Sequence, residues 1–70
     1  MWRTIDGFSN YEVSINGEIR NRTTLKILKS KRNKNGYAIC LLYNRYMERQ
    51  WVLICDIMYA LFTMYEIANN

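Results

Sequence analysis

Seven cationic side chains, Arg20, Arg22, Lys26, Lys29, Lys31, Arg32 and Lys34, fall within fifteen residues that contain no Asp or Glu. Ammonium and guanidinium groups at this density suit one kind of chemistry above others, the tracking of a phosphate backbone, where each cation near a phosphate releases a condensed counterion. Arg20 and Arg22 add something sharper, because a forked guanidinium also fits the acceptor edge of guanine. The plainer reading is a solvated loop and edge strand whose lysines discourage strand-to-strand aggregation.

Catalytic chemistry has little to work with. The 70 residues include no His, so an imidazole base and the Cys/His and Ser/His/Asp arrangements are excluded. Cys40 and Cys55 cannot complete a zinc site of the usual ligand count. Six acidic residues show no pair at a spacing that suits a metal, and neither cofactor nor metal is expected. The two cysteines lie in apolar stretches and read as buried free thiols, with a single disulfide as the alternative.

One small domain, residues 1–70, is expected at this length. Half the residues are apolar and ten are aromatic, too many for a disordered polar chain. Charge divides the chain. Residues 1–50 hold all ten basic side chains against four acids, a balance of +6, while residues 51–70 hold only Asp56 and Glu66. No basic segment followed by an apolar stretch opens the chain, which reads as intracellular. The abundance of Asn, Ile and Tyr without Pro or His suggests an AT-rich coding genome, such as that of a phage or large virus.

The elements that must position the cations can be read from periodicity. Tyr11, Val13 and Ile15 alternate with Glu12 and Ser14, the pattern of a half-buried strand. Asn16-Gly17 predicts a type I′ hairpin turn, and Glu18 to Arg22 the returning strand. With Ile19 facing the core, Arg20 and Arg22 share the opposite face. Thr23-Thr24 reads as a turn, Leu25 to Lys29 as a short extended piece, and Ser30 to Gly36 as a basic loop. Tyr37 to Tyr43 and Arg49 to Leu53 predict an antiparallel hairpin around Asn44 to Met47. Tyr37 reads either as core or as a ring for a sugar or base.

From Ile54 the period changes: Ile54, Ile57, Met58, Leu61, Phe62 and Tyr65 trace one helix face. The expectation is an α+β fold, a three- to four-stranded antiparallel sheet over residues 1–53 and one apolar helix over residues 54–68. Asp56 and Glu66 make a membrane span of Trp51 to Ala68 costly, and no membrane partner is expected.

Trp2-x-x-Ile5-x-Gly7-Phe8 followed by Tyr11-Glu12-Val13-Ser14-x-x-Gly17-x-Ile19-Arg20 resembles the type-four nuclease-associated modular domain found at the front of HNH homing endonucleases. Thr24 with Ile27-Leu28-Lys29, Asn35-Gly36-Tyr37, Leu42-Tyr43 and Cys55 through Phe62 extend the resemblance to residue 62. It implies a small antiparallel sheet and a helix that contact DNA beside a separate catalytic module. Arg20 and Lys29 are the basic residues matched by position. The chain departs from the pattern in three places. Cys55-Asp56 stands where the family helix usually opens His-Arg, Asn44-Arg45-Tyr46-Met47 lacks the usual glycine, and no HNH motif follows residue 62. The resemblance therefore implies a targeting module without its nuclease.

Two functions of different class follow. The first is a non-catalytic nucleic-acid-binding module, duplex DNA being the expected polyanion and RNA the alternative, with the seven cations as contacts. The second is a protein-assembly module, a homo-oligomer or a subunit of a viral or nucleoprotein complex, with Tyr46, Met47, Trp51, Met58, Tyr59, Met64 and Tyr65 as anchors.

Overall fold

Tyr11 and Val13 alternate with Glu12, and that alternation places one row of side chains inside and one outside. The computed structural model describes residues 1–69. Its strands are β1 (Trp2–Ile5), β2 (Phe8–Ser14), β3 (Ile19–Asn21), β4 (Lys31–Arg32), β5 (Ala38–Tyr43) and β6 (Arg49–Leu53), followed by helices α1 (Ile54–Leu61) and α2 (Met64–Ala68). The class is α+β, as expected. The strands form two antiparallel sheets rather than one, ordered β1-β2-β3 and β4-β5-β6.

The sheets meet across their apolar faces. Ile5, Tyr11, Val13 and Ile19 from the first and Cys40 and Leu42 from the second form the core, closed by Ile54 and Phe62. The Tyr43 amide donates to the Tyr11 hydroxyl at 3.4 Å, a direct polar tie between them. Between the sheets runs a crossover, residues 22–30. The amide of Leu28 donates to the Ile19 carbonyl at 2.8 Å and Ile27 forms an isolated bridge with Arg20, so this segment lies along β3. Strand β4 falls within the stretch read as a basic loop, and β1 precedes the first strand read from alternation.

Three hairpins share one loop. In Ser14–Glu18, Asn33–Tyr37 and Asn44–Glu48, the first residue's amide donates to the fifth residue's carbonyl at 2.9 Å. The first side chain then accepts the third and fifth amides, at 3.2 Å for Ser14 Oγ and 2.9–3.0 Å for Asn33 and Asn44 Oδ1. Each fourth residue is left-handed: Gly17 at φ 82°, Gly36 at φ 86° and Met47 at φ 62°. Because only Gly17 of the Asn16-Gly17 pair has positive φ, the loop is not the expected type I′ turn. It has the form of a type I turn closed by a left-handed residue.

The helical region begins at Ile54 as expected but divides at Phe62. That residue is extended (φ −122°, ψ 146°), and Thr63 starts α2 with a capping box: Thr63 Oγ1 accepts the Glu66 amide and Glu66 Oε1 accepts the Thr63 amide. The break turns Phe62 into the core and puts Tyr65 out of phase with the α1 face, leaving it 77% exposed. Among the described residues no helix is long and apolar enough to cross a membrane.

Candidate nucleic-acid interface

The outer face of the first sheet carries Trp2, Thr4, Glu12 and Arg20, placed side by side by the pairings Thr4↔Glu12 and Glu12↔Arg20. Arg20 donates from Nε and Nη2 to Glu12 Oε2 at 2.9 and 2.8 Å, and its guanidinium lies 3.8 Å from the Trp2 ring centroid. Stacked and paired, it is held in one plane. Among the described residues its Nη1 has no hydrogen-bond partner and is free to donate elsewhere. Arg22 also meets Glu12, at 3.9 Å from Oε1, and donates to the Ser9 carbonyl at 2.9 Å. The two-arginine stripe is therefore present, with one carboxylate partly neutralising it.

The other five cations meet no carboxylate among the described residues. Lys26 and Lys29 project from the crossover, whose bend is set by Asn21: Oδ1 accepts the Thr23 and Thr24 amides and the carbonyl accepts that of Leu25. Arg32 of β4 donates to the Gly36 carbonyl at 2.6 Å, bracing the Asn33–Tyr37 loop that exposes Lys34. Lys31 lies over Trp51, its Nζ 4.4 Å from the ring centroid. The cations thus form a path from the outer face of the first sheet, along the crossover, to the second.

The residues read as partner anchors come from several elements. Tyr46 and Met47 belong to the β5–β6 loop, Trp51 to β6, and Tyr59, Met64 and Tyr65 are exposed on the helices. Met58 is half-buried, and its Sδ would lie 3.3 Å from a Cβ at Gly17. Tyr37 is 55% exposed and so is not a core residue.

Three residues carry roles that the sequence reading missed. Glu12 was legible, since any hairpin centred near Asn16 sets it opposite Arg20. Trp2 supports Arg20 through a contact across β2 that no local pattern signals. Arg3 points to the apolar side, where Nη1 donates to the Leu61 carbonyl, Nη2 donates to Glu66 Oε2 at 2.8 Å, and the guanidinium lies 4.4 Å from the Phe62 centroid. The backbone amide of Thr63 and, after it, Arg3 hold the Glu66 carboxyl below the ordinary glutamate range.

Cys40 and Cys55 are free thiols, and burial pushes Cys40 up, away from the reactive thiolate. Among the described residues no three His, Cys, Asp or Glu side chains are placed to hold a metal ion. An open groove of about 390 Å³ between β6 and α1 has Asp6 and Asp56 in its lining, the wrong sign for phosphate.

Comparison with known proteins adds three findings. A family model described as the NUMOD4 motif matches residues 1–43. A search of curated proteins returns no match. A solved structure, "DNA binding and cleavage by the HNH homing endonuclease I-HmuI", is similar at a TM-score of 0.77 and 25% identity, over 89% of this chain and 36% of that one. The chain thus spans about a third of the length of that structure's chain.

Proposed function

Because this chain belongs to the NUMOD4 family, a nuclease-associated modular motif, we propose that it acts as a non-catalytic module that holds duplex DNA through its cationic path. One observation carries the reading: five cations, Lys26, Lys29, Lys31, Arg32 and Lys34, are exposed along one continuous stretch and, among the described residues, meet no carboxylate. Contact is made mainly with phosphates, which sets register and orientation without reading sequence. Arg20, fixed on Trp2 with Nη1 uncommitted, is the group best prepared to reach a base edge. The similarity to a DNA-binding homing endonuclease supports the choice of DNA, and it favours a phage or mobile element as the source.

Salt titration with a short duplex tests the proposal. Five phosphate contacts give a slope of about −4.5 in log K against log salt, a loss of roughly 500-fold between 50 and 200 mM. Replacing Lys26, Lys29 and Lys34 together by Ala should flatten the slope by about 2.7. Binding that ignores salt, or no binding at about 50 mM, where electrostatic association is still strong, would reject the proposal.

A further inference from the structure

The outer face of the second sheet shares Lys31 with the cationic path and otherwise carries different residues. The pairings Ile39↔Leu53, Leu41↔Trp51 and Tyr43↔Arg49 fix which side chains share it, and Lys31 joins them through its pairing with Ile39. Cys40 and Leu42 point the opposite way, into the core. On β5 the same parity includes Tyr37, just before the strand. The face therefore displays Tyr37, Tyr43 and Trp51, all exposed, with Lys31 and Arg49 beside them; Trp51 also borders the groove whose lining includes Asp6 and Asp56. Trp51 and Tyr43 are diagonal neighbours across the hairpin, a relation that places side chains roughly 7–8 Å apart.

Aromatic rings on an open sheet, flanked by cations, suit bases that are not already stacked in a duplex. A base pair inside a duplex offers only its edges, so such rings have nothing to stack on there. An unpaired base offers its whole face. We infer that the outer face of β4-β5-β6 is a stacking platform for single-stranded DNA, with Trp51 as its principal ring and Lys31 and Arg49 as its phosphate contacts. The contact between Lys31 and Trp51 is consistent with this. A cation over an exposed indole is held more weakly than a stacked base, so an arriving base displaces Lys31 from the ring toward the adjoining phosphate. The choice of DNA over RNA rests on the functional reading above; the platform itself does not need the duplex path to be correct.

Tryptophan fluorescence tests it directly. In the full chain carrying Trp2→Phe, Trp51 is the remaining indole, and titration with oligothymidylate should quench it. Trp51→Ala should weaken oligothymidylate binding about tenfold or more, the loss of one base–aromatic stack. Trp51→Phe should retain most of the affinity, and duplex affinity should be nearly the same in the unsubstituted chain, Trp51→Ala and Trp51→Phe, all three keeping Trp2. Thermal melting of the Ala and Phe variants separates lost stacking from lost folding. Absence of quenching, an equal loss on duplex and single strand, or loss in the Phe variant equal to that in the Ala variant overturns the platform. Tighter binding of oligouridylate than of oligothymidylate overturns the assignment to DNA. If no variant binds duplex while oligothymidylate still quenches Trp51, the duplex reading fails and the platform stands.

Discussion

Replacing Glu12 by Gln asks whether the outer face of the first sheet meets phosphate. Glu12 Oε2 accepts two hydrogen bonds from Arg20 and Oε1 lies 3.9 Å from Arg22, so one carboxylate restrains two guanidinium groups. Gln preserves the shape and one accepting oxygen but removes the charge. The Arg20–Glu12 pair is partly buried, its side chains 24% and 15% exposed, so the loss of charge should cost about 1.5–3 kcal/mol, the worth of hydrogen bonds to a charged group, while the Arg20–Trp2 stack remains. Binding should change as well. One further uncompensated cation at the phosphates steepens the salt slope by about 0.9, which at about 0.1 M salt corresponds to roughly eightfold tighter binding. Fluorescence anisotropy with a labelled duplex, repeated across a salt series, reads both quantities. Glu18→Gln is the control: it changes net charge equally, but at the exposed Ser14–Glu18 loop. Equal effects of the two substitutions would mean that overall charge is responsible. An unchanged slope in Glu12→Gln would refute the reasoning and leave the crossover and β4 as the contact surface.

Two further outcomes follow from the loops and the helix break. Met47 holds at φ 62° the place that glycine holds in the other two hairpins. A left-handed L-residue costs about 1–2 kcal/mol, and glycine returns about 0.4–1 kcal/mol of that through the unfolded chain. Met47→Gly should therefore stabilise by about 0.5–1 kcal/mol and raise Tm by roughly 2–8 °C; an unchanged or lower Tm would deny that the three loops are equivalent. Glu66 has its folded pKa depressed, so the stability it contributes is fully present above the ordinary glutamate range and is lost as pH falls through the depressed value. Helical circular dichroism should fall over that acidic window in the native chain and lose this component in Glu66→Gln; identical pH profiles would remove Glu66 as the cause.

Where one residue's pattern decided the structure, the sequence was informative. Tyr11 and Val13 against Glu12 defined a face, and Asn16-Gly17 located a turn. The turn's type was hidden, because it depends on the Ser14 hydroxyl collecting two amides, a role the same reading did not give to Asn33 or Asn44. Strand β1 was obscured by Arg3, a charge on the inward side, and by the register shift between Thr4 and Ile5. Apolar spacing runs unbroken from Ile54 to Tyr65 and masked the Thr63-x-x-Glu66 capping box that divides the helix. Of the candidate site, the run of cations and the Glu12 partner of Arg20 were legible, and the aromatic partners were not. Trp2 reaches Arg20, and Trp51 reaches Lys31, across strands whose order in two separate sheets no local spacing specifies.

Arg3 and Glu66 stand 63 positions apart, almost the whole chain. Contacts of that separation form late, since nearly every other segment must be in place before the two groups can meet. A five-residue helix is too short to persist without support, so α2 has no lasting existence before the guanidinium of the first strand reaches it. The Arg3–Glu66 pair therefore ties α2 to β1, alongside the packing of Ile67 on the core.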